Sequence, residues 1–150
     1  MRWEVKKFEE LSSIELYRIM QLRGEVFVVE QNCPYLDADG KDPDSLHLMG
    51  YGKNDHLIAY SRIVMPGISY EEVSIGRVVS SPSVRGSGSG KALMLESLSV
   101  IRGAFGNIPV RIGAQCYLQK FYEGFGFEAI GDSYMEDGIP HIEMLKAAEL

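Results

Sequence analysis

One stretch decides the fold: Ile75-Gly76-Arg77-Val78-Val79-Ser80-Ser81-Pro82-Ser83-Val84-Arg85-Gly86-Ser87-Gly88-Ser89-Gly90. It opens as an apolar, β-branched run, which is typical of a buried strand. The strand should end at Ser81-Pro82, because proline has no backbone N–H and biases its predecessor away from helix. Three alternate glycines then lead into a helical run from Lys91 to Leu98. A strand, a glycine-rich turn and a helix N-terminus predict an anion site, because the free N–H groups and the helix dipole favour phosphate.

The spacing of this loop excludes two common phosphate motifs. A Walker A loop would need glycine at position 85 and Ser or Thr at position 92, where this chain has Arg85 and Ala92. The dinucleotide fingerprint G-x-G-x-x-G also fails, because its last place falls on Lys91 or Leu93. What remains is R-x-x-G-x-G, beginning at Arg85. For this loop alone, a solvated turn without a ligand is the alternative.

Length, charge and cysteine usage narrow the class of protein. We expect one domain over residues 1–150, long enough to bury a core. A net charge of −6 argues against a nucleic-acid partner and permits a cationic amine substrate. No apolar run of about 18 residues predicts a membrane span, and the N-terminus does not resemble an export signal. Cys33 and Cys116 lack C-x-x-C spacing, so we expect free thiols in a cytoplasmic protein and no metal site.

Before the glycine loop, the sequence predicts a strand, a long helix and an acidic loop. The strand covers residues 3–8, and a capping box at Ser12-x-x-Glu15 begins a helix that runs from Ile14 to about Glu30. Helical spacing places Arg23 and Glu30 near one face of this helix. The plain interpretation is that they are two surface charges at the border of its core-facing side. Residues 37–44 fail the calcium-loop spacing, so we interpret them as a solvated loop near a substrate entrance.

The rest of the chain predicts a meander followed by strand–helix–strand units, which together give a mixed α/β sheet. After the glycine loop, the helix should run to about Ile101 and stop at Gly103. The predicted strands cover residues 47–51, 57–64, 75–80, 109–114 and 127–134, and a short helix covers 116–123. After the turn Asp137-Gly138, a last strand includes Ile139 to Met144.

A second motif follows about 30 residues after the glycine loop, from Gln115 to Phe127. It resembles the pattern N-x-x-A-x-x-F-Y-x-x-x-G-F of the GCN5-related N-acetyltransferases (GNAT), and R-x-x-G-x-G resembles their pyrophosphate loop. Phe121-Tyr122 and Gly126-Phe127 match the pattern. Gln115 stands where the family often has Asn, which keeps an amide able to reach pantetheine. Leu118 stands where Ala is common, and its larger side chain would lie against the cofactor.

The resemblance covers the whole chain and narrows to the ElaA-like branch, on the segments 22–35, 37–40, 75–78 and 136–142. The element R-x-x-V-F-x-x-E within the first of these is also similar to the N-terminal helix of acyl-homoserine-lactone synthases, which share the fold. The resemblance implies a mostly antiparallel mixed sheet, in an α/β (α+β) domain, whose fourth and fifth strands splay around the cofactor. It also implies acetyl transfer from acetyl-CoA to a small-molecule or peptide amine, without identifying the amine.

The resemblance implies a role for several residues. The strand end would hold the thioester oxyanion through backbone N–H groups, Tyr122 would protonate the departing thiolate, and Arg23 and Glu30 would line the acceptor side. His141, Glu72 and a water relay are the candidates for the base, and a histidine hydrogen-bonded within the sheet is the plain alternative for His141. The implied coenzyme ligands are Val78, Val79, Ser80, Arg85, Gly86, Ser87, Gly88, Ser89, Gly90, Lys91 and Gln115.

Two other functions stay open from the sequence. One is a catalytically silent acyl-CoA sensor, which would keep the loop without the chemistry. The other, an acyl-homoserine-lactone-type synthase, is disfavoured because such enzymes are longer and have an acyl-chain pocket. Retention of Tyr122 favours the enzyme over the sensor. A homodimer also stays open.

Overall fold

The computed structural model describes all residues from Met1 to Leu150, with seven strands and three α-helices. A π-helical segment, Gly24–Glu30, follows the first helix. No helix combines the length and the apolar character that a bilayer span requires. In chain order the elements are β1 Arg2–Lys7, α1 Ser13–Arg23, β2 Ser45–Tyr51, β3 Leu57–Val64, β4 Ser74–Ser80, α2 Ser89–Phe105, β5 Val110–Gln115, α3 Gln119–Glu123, β6 Glu128–Glu136 and β7 Ile139–Lys146.

The strands form two antiparallel sheets that touch at one point. The first has the order β1-β2-β3-β4 and the second the order β5-β7-β6. A single parallel bridge between Val73 and Val110 joins them, and the Arg111 N–H donates to the Val73 carbonyl at 3.0 Å. No backbone pairing connects β4 and β5 beyond this bridge. The predicted splay of the fourth and fifth strands is therefore confirmed.

Helices α1 and α2 cover opposite faces of the first sheet. Successive residues of a strand point to opposite faces, so Leu48 packs with Leu93 of α2 and Met49 packs with Ile19 of α1. These four side chains are at most 1% exposed, and each contributes about 1.5–3 kcal/mol by burial. Because both faces are covered, β2 is an almost continuous buried run rather than an alternating one.

Two of the predicted helix boundaries are wrong. The helix expected from Ile14 to Glu30 changes to π geometry at Gly24, where glycine's low helical propensity weakens the α form. Helix α2 passes through Gly103 and ends at Gly106 instead, whose φ is +81°. An interior glycine costs a helix only about 1 kcal/mol, so Gly103 does not stop it, whereas a positive φ at Gly106 turns the chain away.

Candidate active site

The splay between β4 and β5 opens a cavity of about 800 Å³. Its wall includes the end of β4, the start of α2, the end of β5, the helix α3, the β6–β7 turn and the π-helical segment. The predicted site residues on this wall are Glu30, Val78, Val79, Ser80, Arg85, Gly90, Gln115, Tyr122 and His141. Those that do not line it are Arg23, Glu72, Gly86, Ser87, Gly88, Ser89 and Lys91.

The glycine loop presents unpaired backbone donors. The N–H groups of residues 86 and 88–91 donate to no atom of the protein. Gly86 and Gly88 have φ of +81° and +85°, a region that side chains with a Cβ seldom adopt, and the space where their Cβ atoms would lie is open. A Cβ at Gly90 would lie 3.9 Å from Phe121 of the second motif, so the two motifs meet at this corner of the cavity. The loop therefore offers free N–H donors at a helix N-terminus, an arrangement that favours an anion.

A β-bulge changes the direction of β4 near its end. Arg77 and Val78 together stand opposite the single residue Ser61 of β3, and Arg77 has a left-handed φ of +50°. The guanidinium of Arg77 holds this conformation by donating to the Asp37 carboxylate at 2.8 Å and to the Asp37 carbonyl at 3.0 Å. The bulge breaks regular pairing just before Val79 and Ser80, which line the cavity.

Gln115, at the end of β5, carries an unsatisfied acceptor. Its Nε2 donates to Oε1 of Gln31 at 3.3 Å, whereas its own Oε1 is buried without a hydrogen-bond partner. A buried acceptor left unpaired costs about 1–3 kcal/mol, so a ligand amide N–H at this position would be favoured. The residue therefore fits the amide-binding role that the resemblance implies.

Tyr122 places its phenol at the cavity within an aromatic cluster. Its ring is edge-on to Phe121 and Phe127, and only 7% of the residue is exposed. Burial raises the pKa of Tyr122 to about 12, so the phenol keeps its proton at neutral pH. The hydroxyl makes no hydrogen bond within the protein. It is thus a neutral acid with a free donor.

The two side chains considered as bases lie in different surroundings. His141 is buried at the cavity wall, with Nδ1 2.7 Å from the Ile139 carbonyl oxygen. Glu72 lies off the cavity and accepts two hydrogen bonds from Arg111, at 2.9 and 3.0 Å. These hydrogen bonds lower the pKa of Glu72, which makes it a poorer base. The structure therefore removes Glu72 from the candidates.

Arg23 does not line the acceptor side, so its placement there was wrong. Its side chain is fully buried and donates to Asp37 at 2.8 Å and to Asp42 at 2.7 Å. The physical reason is that Arg23 lies on the buried face of α1, one turn after Ile19. The π-helical segment that follows breaks the α-helical register, so Glu30 does not share that face. Glu30 reaches the cavity, with 40% of its side chain exposed.

The loop interpreted as solvated is instead part of a charged cluster. Asp37, Asp39 and Asp42 pair with Arg23, Arg62 and Arg77 at 2.7–3.4 Å. Burial alone would raise the pKa of Asp42, but hydrogen bonds and charge from Arg23 and Arg62 outweigh it and hold that pKa below its usual value. The sequence signal was the presence of Arg62 and Arg77 within apolar strands, since a buried guanidinium needs a carboxylate partner.

Glu30 and Arg85 are paired with each other across the mouth of the cavity. Both terminal nitrogens of Arg85 donate to the carboxylate of Glu30 at 2.6 Å. Hydrogen bonding to Arg85 lowers the pKa of Glu30, so the carboxylate is charged at neutral pH. The sequence predicted Arg85 as a coenzyme ligand and Glu30 as a residue on the acceptor side, whereas the structure pairs them with each other.

Comparisons with known proteins agree with this architecture. A family model described as an acetyltransferase (GNAT) domain matches residues 43–148. Protein ElaA of Escherichia coli strain K12 is 46% identical over 148 residues, which covers 97% of this chain and 96% of ElaA. The crystal structure of E. coli ElaA matches with a TM-score of 0.89 over 97% of this chain and 98% of that one. The crystal structure of an acyl-CoA N-acyltransferase from Pseudomonas aeruginosa, 43% identical, matches with a TM-score of 0.92 over 98% and 100% of the two chains.

A more distant neighbour shares the fold alone. An aminoglycoside 6'-N-acetyltransferase, solved in complex with coenzyme A, is 16% identical and has a TM-score of 0.68 over 96% of both chains. The predicted resemblance and fold are confirmed by the family model and by ElaA, which is similar over nearly its whole length. The chain belongs to the GNAT acetyltransferase family.

Proposed function

We propose that this protein is an N-acetyltransferase that moves the acetyl group of acetyl-CoA to a primary amine by direct attack in a ternary complex. The observation that carries the proposal is that three kinds of group line one cavity. Gly90 of the glycine loop with its free N–H, Gln115 with its unpaired amide oxygen and Tyr122 with its neutral phenol all lie on the cavity wall at the splay between β4 and β5.

The residues at the cavity fit the parts of coenzyme A. The N–H groups of residues 86 and 88–91 would hold the pyrophosphate, with positive charge supplied by Arg85 and Lys91. Gln115 Oε1 would accept a hydrogen bond from an amide of the pantetheine arm. When bound, the coenzyme supplies an activated acyl group as a thioester.

The chain's own groups would then stabilise the transition state. Backbone N–H groups at Val78, Val79 and Ser80 would donate to the thioester oxygen as negative charge develops there. Tyr122 would give its proton to the departing sulfur, a form of general-acid help worth about 10²- to 10⁴-fold. Of the two side-chain base candidates, His141 is the one at the cavity wall.

Two alternatives are distinguishable by experiment. A silent acyl-CoA sensor would bind acetyl-CoA without turning it over. A synthase of the acyl-homoserine-lactone type would need long acyl chains. The acceptor in our proposal is a small molecule or a peptide, and neither nucleic acid nor a membrane takes part.

The test is a free-thiol assay of acetyl-CoA turnover across a panel of amines, amino acids and peptides, with thermal shift to measure acetyl-CoA binding. Gly88→Val should abolish the thermal shift, because a side chain would fill the open space beside the N–H groups. The matched control is Gly67→Val, since Gly67 has a similar φ of +88° and open surroundings but lies in the β3–β4 loop, outside the glycine loop. The same shift in both variants would mean that the loop does not hold the coenzyme. Thiol release from no amine on the panel would favour the sensor.

A further inference from the structure

The protonation state of His141 follows from its contacts. Nδ1 lies 2.7 Å from the carbonyl oxygen of Ile139. A carbonyl oxygen only accepts hydrogen bonds, so in the neutral ring Nδ1 carries the hydrogen and donates it. The lone pair is therefore on Nε2, which is the basic atom of the ring.

Nε2 faces a carboxylate that has no other partner. It lies 3.5 Å from Oε2 of Glu136, the last residue of β6. The carboxylate of Glu136 makes no ion pair with a lysine or arginine. Tyr134 stacks on the imidazole with its ring centroid 5.9 Å away and an interplanar angle of 27°. The ring is thus fixed by a carbonyl on one nitrogen, a phenol on one face and a carboxylate near the other nitrogen.

Strand register places this ring next to the expected path of the coenzyme. His141 is directly opposite Gln115 of β5 and Tyr134 of β6. Paired residues of antiparallel strands point to the same face, and neighbouring strands lie about 4.8 Å apart. If Gln115 contacts pantetheine, His141 lies one strand further from β4 on the wall of the same cavity.

The charged and titratable groups around the ring are acidic or phenolic. Glu136 and Tyr134 face it from β6, Glu143 lies two residues along its own strand, and Tyr70 reaches Tyr134 from the β3–β4 loop. The nearby guanidinium of Arg111 is already paired with Glu72 and Glu143. These surroundings would attract the ammonium group of an acceptor amine.

We propose that His141 Nε2 is the general base for the acceptor ammonium and that Glu136 is its positioning residue, holding the imidazolium after proton transfer. This inference rests on the proposed acetyl transfer. The ammonium loses one proton to His141, which passes it to solvent. The amine then forms the C–N bond as the C–S bond breaks. Tyr122 protonates the sulfur and recovers a proton from the nitrogen, so one proton is released for each turnover.

The first test does not require activity. A long-range proton–nitrogen NMR experiment at neutral to basic pH should show His141 with a protonated Nδ1 and an unprotonated Nε2. The chain has three histidines, so a His141→Gln variant assigns the signal by its disappearance. The opposite tautomer would overturn the assignment of Nε2 as the base, whether or not the protein turns over any amine.

The second test uses the amine that supports turnover. His141→Gln should lower kcat by about 100-fold or more and keep acetyl-CoA binding by thermal shift. Glu136→Gln should lower kcat by about 10-fold, less than His141→Gln does, with little change in the acetyl-CoA KM and in the melting temperature. The matched control is Glu128→Gln at the far, exposed end of the same strand.

Each result of the second test has one meaning. A fall in kcat in Glu136→Gln, at unchanged melting temperature and acetyl-CoA KM, that is absent in Glu128→Gln supports the pair. Equal kcat for wild type, Glu136→Gln and Glu128→Gln would remove Glu136, and an unchanged kcat in His141→Gln would remove His141. If the wild-type protein turns over no amine while the NMR experiment shows the expected tautomer, then the proposed function fails and the assignment of the ring stands.

Discussion

Replacing Arg23 with alanine should destabilise the fold by about 3 kcal/mol. Removing one partner of a buried ion pair costs about 3–5 kcal/mol, because the remaining charge is left without compensation. Arg23 is fully buried and contacts two carboxylates, Asp37 and Asp42. Arg62 still donates to Asp42 at 3.1 Å in the variant, so the cost should fall at the lower end of that range.

The assay is thermal unfolding of the unliganded protein. A loss of about 3 kcal/mol corresponds to a fall in Tm of about 6–12 °C for a chain of this size. Arg102→Ala is the matched control, because Arg102 pairs with Glu149 at 3.3 Å on the surface with 59% of its side chain exposed. Such a pair contributes about 0–1 kcal/mol. Equal melting temperatures for the two variants would refute our account of Arg23 as a structural group.

Acid should erase the difference between wild type and Arg23→Ala. The pKa of Asp42 is lower in the folded protein than its unfolded value of about 3.9. A group of this kind stabilises the fold above its unfolded pKa, and that contribution is lost as the pH falls further. The two melting temperatures should therefore converge below about pH 4. If instead Arg23→Ala melts normally and raises the acceptor KM, then Arg23 binds the acceptor after all.

Two further predictions concern the cavity. Tyr122→Phe should fold normally, since the hydroxyl has no partner in the protein. It should lower kcat by about 10-fold or more with little change in the acetyl-CoA KM. Equal kcat for wild type and variant at saturating acceptor, with the chemical step limiting the rate, would remove Tyr122 from the mechanism. Glu30→Gln should tighten coenzyme A binding by about two- to fivefold in calorimetry, because it frees Arg85 for phosphate; weaker binding would instead show that Glu30 orients Arg85.

Local sequence was enough for the parts of the site that lie within one turn or one strand. The proline, the alternating glycines and the helical run after them could be placed because their backbone preferences act over a few residues. Tyr122 and Gln115 were predicted as site residues from a motif with fixed spacing, and both line the cavity in the structure. The splay of β4 and β5 was implied by the family resemblance and not by periodicity.

The charged cluster could not be predicted because its partners are distant in sequence. Arg23 meets carboxylates 14 and 19 residues later, in a loop without periodic pattern. Helical spacing put Arg23 and Glu30 on one face, but it gave neither the burial of Arg23 nor the π-helical segment that separates the two residues. An arginine within an apolar strand, as at position 62, was the one clue that the acidic loop is paired.

The segment Glu30–Cys33 contacts three other parts of the cavity wall. Glu30 holds Arg85, Gln31 holds Gln115, and the thiol of Cys33 donates to the carbonyl of Asp137 at 3.0 Å in the β6–β7 turn. If Arg85 binds the phosphates of coenzyme A as proposed, then its contact with Glu30 is exchanged for a coenzyme contact. The other two contacts can persist, because Gln115 would bind pantetheine through its unpaired Oε1. Coenzyme binding would then free Glu30, the residue expected to line the acceptor side. We therefore expect acceptor binding to depend on the coenzyme, and Glu30→Gln to weaken that dependence.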